Sequence, residues 1–334
     1  MERGLKIWYV TCILLLTYEQ SPVQGEQQVP CYFIFGNSLG DNGNNNGLAT
    51  RAKANFSPYG IDFPYGPTGR FCNGRTMAGI IAELLGFENY IPSFATASGQ
   101  DILKGVNYAS APAGIRSESG QQMGARISMD AQLGNHLTTV SRIAAIFRVN
   151  NATTNYLSKC IYSVGMGNND FTNNYFMPQF YPTSHLYTPD QYATVLVNQY
   201  SQRLRAFYRL GARKVALFGL GQLGCTPFEM ARSCNRKQAS CEVETGMVTC
   251  IPLSTPCSNR TQYEFWDMLH PTEVVHLIFA GKAYNAQSLS DTYPIYSSPS
   301  STPRKDMIVR TWNSRLKELF IVINKSTDNF FRNC

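Results

Sequence analysis

The sequence predicts an α/β protein with a parallel sheet covered by helices on both faces. Short apolar runs of strand type alternate with longer segments of helical period, joined by short loops. Three of the strand candidates also end in glycine-containing polar turns, which gather at one sheet edge when the strands are parallel.

Taken in order, residues 32–35 form the first strand, which stops at Gly36 and is followed at once by Ser38 on a Gly- and Asn-rich turn. Residues 46–75, rich in Gly, Pro, Tyr and Asn, read as a long ordered loop. Residues 77–85 (MAGIIAELL) have helical period, and Gly86 can end that helix. A short strand is expected at 105–110 (GVNYAS), before Ala, Pro and Gly punctuation. Residues 127–147 carry apolar positions spaced by three and four, so they read as helix. Residues 160–166 (CIYSVGM) are a buried strand ending at Gly167, 189–210 a helix, and 214–220 (KVALFGL) the last strand.

The ends of the chain and its cysteines indicate export. Arg3 and Lys6 precede an apolar run over residues 7–18, and a cleavage point is expected at Gly25/Glu26. That run is too short to span a bilayer comfortably, and no later segment is long enough. Beyond it remain Cys31, Cys72, Cys160, Cys225, Cys234, Cys241, Cys250, Cys257 and Cys334. An odd number in an oxidising compartment leaves at least one thiol free or paired to another chain. The crowding from Cys225 to Cys257 suggests a locally stapled loop; without C-x-x-C pairs it does not suggest zinc. Asn55, Asn151, Asn259 and Asn324 head N-x-S/T sequons, candidate glycosylation sites in an exported chain.

The formal charge of +7 does not imply nucleic-acid binding, because residues 301–334 carry seven basic and three acidic residues. A basic tail, not a groove, supplies most of the excess, and no recognition motif accompanies it. Gly219, Gly221 and Gly224 spell a literal G-x-G-x-x-G after a strand. A dinucleotide site also needs a helix opening at that turn. Here Cys225-Thr-Pro227 and an irregular cysteine-rich stretch follow, so no nucleotide, and no cofactor or metal, is expected.

The chemistry resides in Ser38 and in Asp267-Met-Leu-His270 near the C-terminus. An acid three residues before a histidine can hold its Nδ1 and leave Nε2 free to take a serine proton. His136, His185 and His276 have no comparable acidic partner. Ser38, the Gly167-Asn168-Asn169-Asp170 turn and Asp267/His270, in that order, resemble the plant GDSL esterase/lipase family of SGNH hydrolases. FIFGNSLGDNGNNN, PYGIDFPYGPTGRFCNGRT, GVNYASAPAGI, YSVGMGNNDFTNNYFMPQFY, GARKVALFGLGQLGC and FWDMLHP all look like family segments. The resemblance implies a flavodoxin-like three-layer α/β/α fold and carboxylic-ester hydrolysis through an acyl-enzyme. It makes Ser38 the nucleophile, His270 the base, Asp267 the residue orienting His270, and Asn169 a side-chain donor to the oxyanion.

The chain departs from that family in four places. Asn37 stands where the family has Asp, so a weakened turn or altered electrostatics is expected. The family's backbone oxyanion donor falls on Ala111 or Pro112, and Pro112 has no N–H. Between residue 220 and Asp267 the family carries a further helix and parallel strand, and residues 226–262 look too short and irregular to hold them. Beyond about residue 294 the resemblance fades.

The expected organisation is an export signal at 1–25, one hydrolase domain at 26–295 shortened around 226–262, and a basic tail at 296–334. The expected function is secreted, extracellular hydrolysis of a small-molecule or lipid ester, without nucleic acid or a transmembrane segment. The alternatives are an impaired or inactive secreted relative, and acyl transfer at the same residues.

Overall fold

A computed structural model describes residues 26–221, 223–228, 239–244 and 247–285. The expected export signal, the basic tail, Cys234, Cys334 and Asn324 lie outside the described residues.

Three strands build the sheet: β1 (Tyr32–Gly36), β2 (Ile161–Gly165) and β3 (Lys214–Phe218), parallel and in the order β1-β2-β3. The helices are α1 (Met77–Leu84), α2 (Met129–Phe147), α3 (Asn150–Lys159), α4 (Pro189–Arg209) and α5 (Glu273–Tyr284). Successive strand side chains point to opposite faces, so each strand divides its apolar residues between two layers. Tyr32, Ile34 and Ile161 face α1 and α5, packing on Ile80, Ile81 and Ala280. Phe33, Phe35, Tyr162 and Val164 face the other layer, against Met129, Ile143, Leu204 and Phe207 from α2 and α4. The outcome is the three-layer α/β/α arrangement the sequence predicts.

Local chemistry places the helix starts. Thr76 and Ser128 cap α1 and α2 by accepting the N–H of Gly79 and Ala131. Thr188 and Gln191 form a capping box at α4, where Pro189 occupies the first helical position. Cys31 is disulfide-bonded to Cys160, tying the starts of β1 and β2, and Cys241 pairs with Cys250. Cys225 is also disulfide-bonded, while Cys72 and Cys257 are free thiols.

Three elements differ from the sequence reading. Residues 106–110 run along β1, with the Ile34 N–H donating to Val106 O and the Tyr108 and Ser110 N–H groups to Ile34 O and Gly36 O, but the pairing is bridged only at Asn107 and does not make a full strand. The ladder is diverted at the end of β1, where the Gly36 N–H goes to Gln132 Oε1 instead of to residue 108. Helix α3, with its polar sequence NNATTNYLSK, offers no apolar period to read. Helix α5 runs Val274, Val275, Leu277, Ile278, Phe279 and also lacks an amphipathic stripe.

The sheet is unevenly covered. β1 is buried throughout, whereas β3 is half-buried except at Val215. Among the described residues no strand pairs with the outer edge of β3. Between β3 and Asp267 the described chain holds short helical turns, including Arg260–Gln262, and isolated bridges.

Candidate active site

The nucleophile candidate sits on a turn fixed from both sides. Gln132 of α2 accepts the Gly36 N–H and donates back to Gly36 O, so the end of β1 is pinned to the helix. The chain then folds over Asn37, whose carbonyl accepts from Gly40 and Asp41. Asn37 Oδ1 takes the Leu39 N–H at 3.0 Å. The amide oxygen thus keeps a turn bond without the charge that an aspartate would bring. Ser38 follows Gly36 by two residues and is 9% exposed.

Asp41 locks this turn to the next one. Its buried carboxylate accepts from the backbone N–H of Gly43 and Asn44 at 2.9 Å and of Ala111 at 3.1 Å. Burial pushes Asp41 up to about 7 against those hydrogen bonds. Asn44 donates to Asn107 O and Ala109 O, and Asn45 to Ala52 O and Ala111 O. The polar run after Ser38 is therefore a set of ties to residues 107–111.

β2 delivers the second component to the same edge, because Gly36 and Gly165 are in register. Gly167 has φ 124°, a left-handed region that favours glycine, and releases Asn169 onto a helical turn. Asn169 Nδ2 donates to Ala113 O at 3.0 Å, and Oδ1 accepts from Asn173 at 2.7 Å. That fixes the amide's orientation and leaves its second N–H to give. Asp170 beside it is fully buried and accepts from Ile115 N, Arg116 N and Ser119 Oγ at 2.7–2.9 Å. Burial raises Asp170 to about 6. A side chain at Gly114 would collide with that carboxylate, at 2.6 Å from a Cβ.

The expected backbone donor does not come from either candidate position as the structure stands. The Ala111 N–H is spent on Asp41, Pro112 has none, and the bond between them is cis.

The Asp267–His270 pair is built on one turn. Asp267 Oδ1 accepts the backbone N–H of Leu269 and His270 at 2.8 Å, and His270 Nδ1 lies 2.7 Å from Oδ2. Nδ1 facing a carboxylate carries the ring proton, so Nε2 is left with its lone pair. Tyr59 supplies a further support: its hydroxyl donates to Asp267 Oδ2 at 2.6 Å and accepts the Cys250 N–H at 3.2 Å. Burial, then the Asp267 charge, holds Tyr59 well above the usual phenol range, so it stays a donor. Phe71 packs against the His270 ring with centroids 4.9 Å apart. Ala111 joins Tyr59, Phe71 and Trp266 in one apolar cluster, which seats the nucleophile-side turn against the histidine turn.

Among the described residues no hydrogen bond joins Ser38 Oγ to His270 Nε2, and no group of His, Cys, Asp and Glu is arranged to hold a metal. His136 is buried in an aromatic cage of Phe33, Phe35, Tyr108 and Tyr162, and burial lowers it to about 3. Gly219, Gly221 and Gly224 lead into the short turn Leu223–Cys225, not into a helix. Asn55, Asn151 and Asn259 are exposed. Asp41 and Tyr59 are supports of the candidate site that the sequence reading passed over, and it named Asp170 only as part of its turn. The polar run 41–46 was the local signal for Asp41, and Tyr59 had none beyond its Gly- and Pro-rich loop.

A parallel sheet with helices on both faces thus carries the Ser38 turn and the Asn169 amide at one strand edge, and the Asp267–His270 turn packs through Trp266 on the cluster that holds Ala111. The pattern of a GDSL-like Lipase/Acylhydrolase matches residues 32–282. The chain belongs to that family, and by class it is an esterase/lipase-type hydrolase. It is 44% identical to GDSL esterase/lipase At1g29670 of Arabidopsis thaliana, over 88% of this chain and 98% of the relative. It is also 43% identical to GDSL esterase/lipase At4g18970 of the same plant, over 81% of this chain and 92% of the relative. The first alignment runs 356 positions, while 88% of 334 residues is about 294. Roughly 60 aligned positions of that relative therefore have no counterpart in this chain.

Proposed function

We propose that this chain is a secreted serine hydrolase that cleaves carboxylic esters through an acyl-enzyme. Ser38 Oγ attacks the ester carbonyl as His270 Nε2 takes its proton, giving a tetrahedral oxyanion that Asn169 Nδ2 stabilises. The C–O bond to the alcohol then breaks, and His270 returns the proton to the departing oxygen. Water, deprotonated by the same Nε2, hydrolyses the acyl-Ser38 ester and frees the acid. Asp267 keeps the imidazole tautomer throughout, steadied by Tyr59. The observation that carries this reading is the His270 Nδ1–Asp267 contact at 2.7 Å, which leaves Nε2 available as base.

Turnover of a p-nitrophenyl butyrate series by secreted protein tests the reading; activity no higher than that of Ser38→Ala would overturn it. Secretion and glycosylation rest on the basic-apolar leader and on the exposed sequons at Asn55, Asn151 and Asn259. Among the described residues no helix is long and apolar enough to cross a membrane. Acyl transfer to another alcohol uses the same residues and is scored by supplying that alcohol in the assay.

A second reading, an impaired relative, draws on the missing Ser38–His270 hydrogen bond and on the roughly 60 unmatched positions. Catalytic hydrogen bonds commonly tighten only when substrate is bound, so the first observation weighs less than the second. We place the shortening between β3 and Asp267. A refolded chain that shows a cooperative melt but no esterase activity would favour the impaired reading.

A further inference from the structure

Beside the nucleophile loop lies an open pocket of about 440 Å³ that has no part in the proposed chemistry. Residues 42–46, 63–70 and 88–96 contribute its walls, and Ser38, Asn169 and His270 are not among the lining. Its size falls within the range of about 300–1,000 Å³ typical of small-molecule sites.

The anchor is Arg70, which is 6% exposed yet has no carboxylate within ion-pair distance among the described residues. Its guanidinium lies 4.0 Å from the Phe63 ring centroid and 5.4 Å from that of Tyr90. Its side-chain hydrogen bond among the described residues goes to Thr68 Oγ1. A buried cation ordinarily has a counter-charge. The nearest groups supply little: Cys72 is held up to about 12 by burial, so it is neutral, and Asp41 is pushed up to about 7. A guanidinium left with free N–H groups in a fixed fork matches a planar carboxylate.

The rest of the lining selects the body of the ligand. Tyr65 is 72% exposed, and its ring stands 6.2 Å from that of Tyr90, so an aromatic face is open to solvent. Asn42 and Asn46 donate through Nδ2 to Ile91 O and Thr68 O, which fixes their amides and leaves both buried Oδ1 atoms without a donor. Ser93 and Thr96 add a hydroxyl pair. Unpartnered acceptors and hydroxyls suit a polyhydroxylated molecule and not an acyl chain. The electron-rich face of an aromatic ring packs well on the polarised C–H face of a sugar. Glu88 is exposed at the rim, where water screens it.

We propose that this pocket binds an anionic sugar of the uronic-acid class, with its carboxylate on Arg70 and its ring against Tyr65. The inference does not depend on Ser38 chemistry. Calorimetric titration of the full chain with D-galacturonate and with D-galactose tests it. Saturable galacturonate binding is expected, with galactose at least about tenfold weaker. Tyr65→Ala, at a position 72% exposed, is expected to weaken galacturonate about fivefold with an unchanged melting curve, and Arg70→Met to remove the preference for the acid. Equal affinity for the two sugars, no binding of either, or an unchanged Tyr65→Ala would overturn the proposal.

Discussion

The two halves of the candidate active site are held in different ways. The nucleophile half stands on the ends of β1 and β2, buried and in register, and is knitted by Gln132, Asp41, Asn44 and Asn45. The acid–base half hangs on irregular chain after the half-exposed β3, secured by Asp267's own turn bonds, Tyr59 and the Cys241–Cys250 loop. A sheet edge positions a residue through many redundant bonds. A turn at the end of a long excursion depends on a few, and each of those carries more of the geometry.

That contrast sets the order of expected effects. Ser38→Ala should remove the nucleophile itself, lowering kcat about 10⁴-fold or more in the butyrate assay while the melting curve stays unchanged. Asp267→Asn should cost about 10⁴-fold, because an amide no longer enforces the imidazole tautomer. Asn169→Ala should cost about 10²–10³-fold in kcat with little change in KM, the mark of a donor used in the transition state.

Tyr59→Phe sharpens the comparison, since it cuts the longest-range support of the weaker half. We expect a several-fold fall in kcat. An unchanged kcat in a Tyr59→Phe chain that melts like the parent would contradict that support.

The smallest effect concerns stability. His136 is held down to about 3 and His276 to about 4 by burial, below the ordinary histidine value of 6.5. Their neutral forms are favoured on folding, so this contribution is complete above about 6.5 and is lost as pH falls towards the folded values. Asp41 and Asp170 act with the opposite sign: raised to about 7 and about 6, they contribute most below the usual carboxylate range and less as pH rises. Replacing His136 by Phe within its aromatic cage should therefore flatten the acid side of a melting-temperature profile between about pH 6.5 and 4. An unchanged acid side would contradict that account.

What the sequence made legible follows from how far each interaction reaches. Strands 32–35, 160–166 and 214–220 were readable because apolar runs stop at glycine. Asp267 and His270 were readable because their contact is local, three residues apart. The supports were not: Asp41 meets Ala111, Asp170 meets Ile115 and Tyr59 meets Asp267 across 70, 55 and 208 positions. No local period records such pairs. The strand expected at 105–110 is only partly realised for a related reason: its pairing with β1 breaks where Gln132, 96 positions away, takes the Gly36 N–H.

As proposed, the two halves close into one working site despite the missing Ser38–His270 hydrogen bond. Labelling the folded chain with a fluorophosphonate, followed by peptide mass spectrometry, reads this directly, because only a serine activated by its base reacts. One equivalent of adduct on Ser38 is expected, abolished in His270→Ala. No adduct on a chain with a cooperative melt, or an adduct that survives His270→Ala, would contradict it.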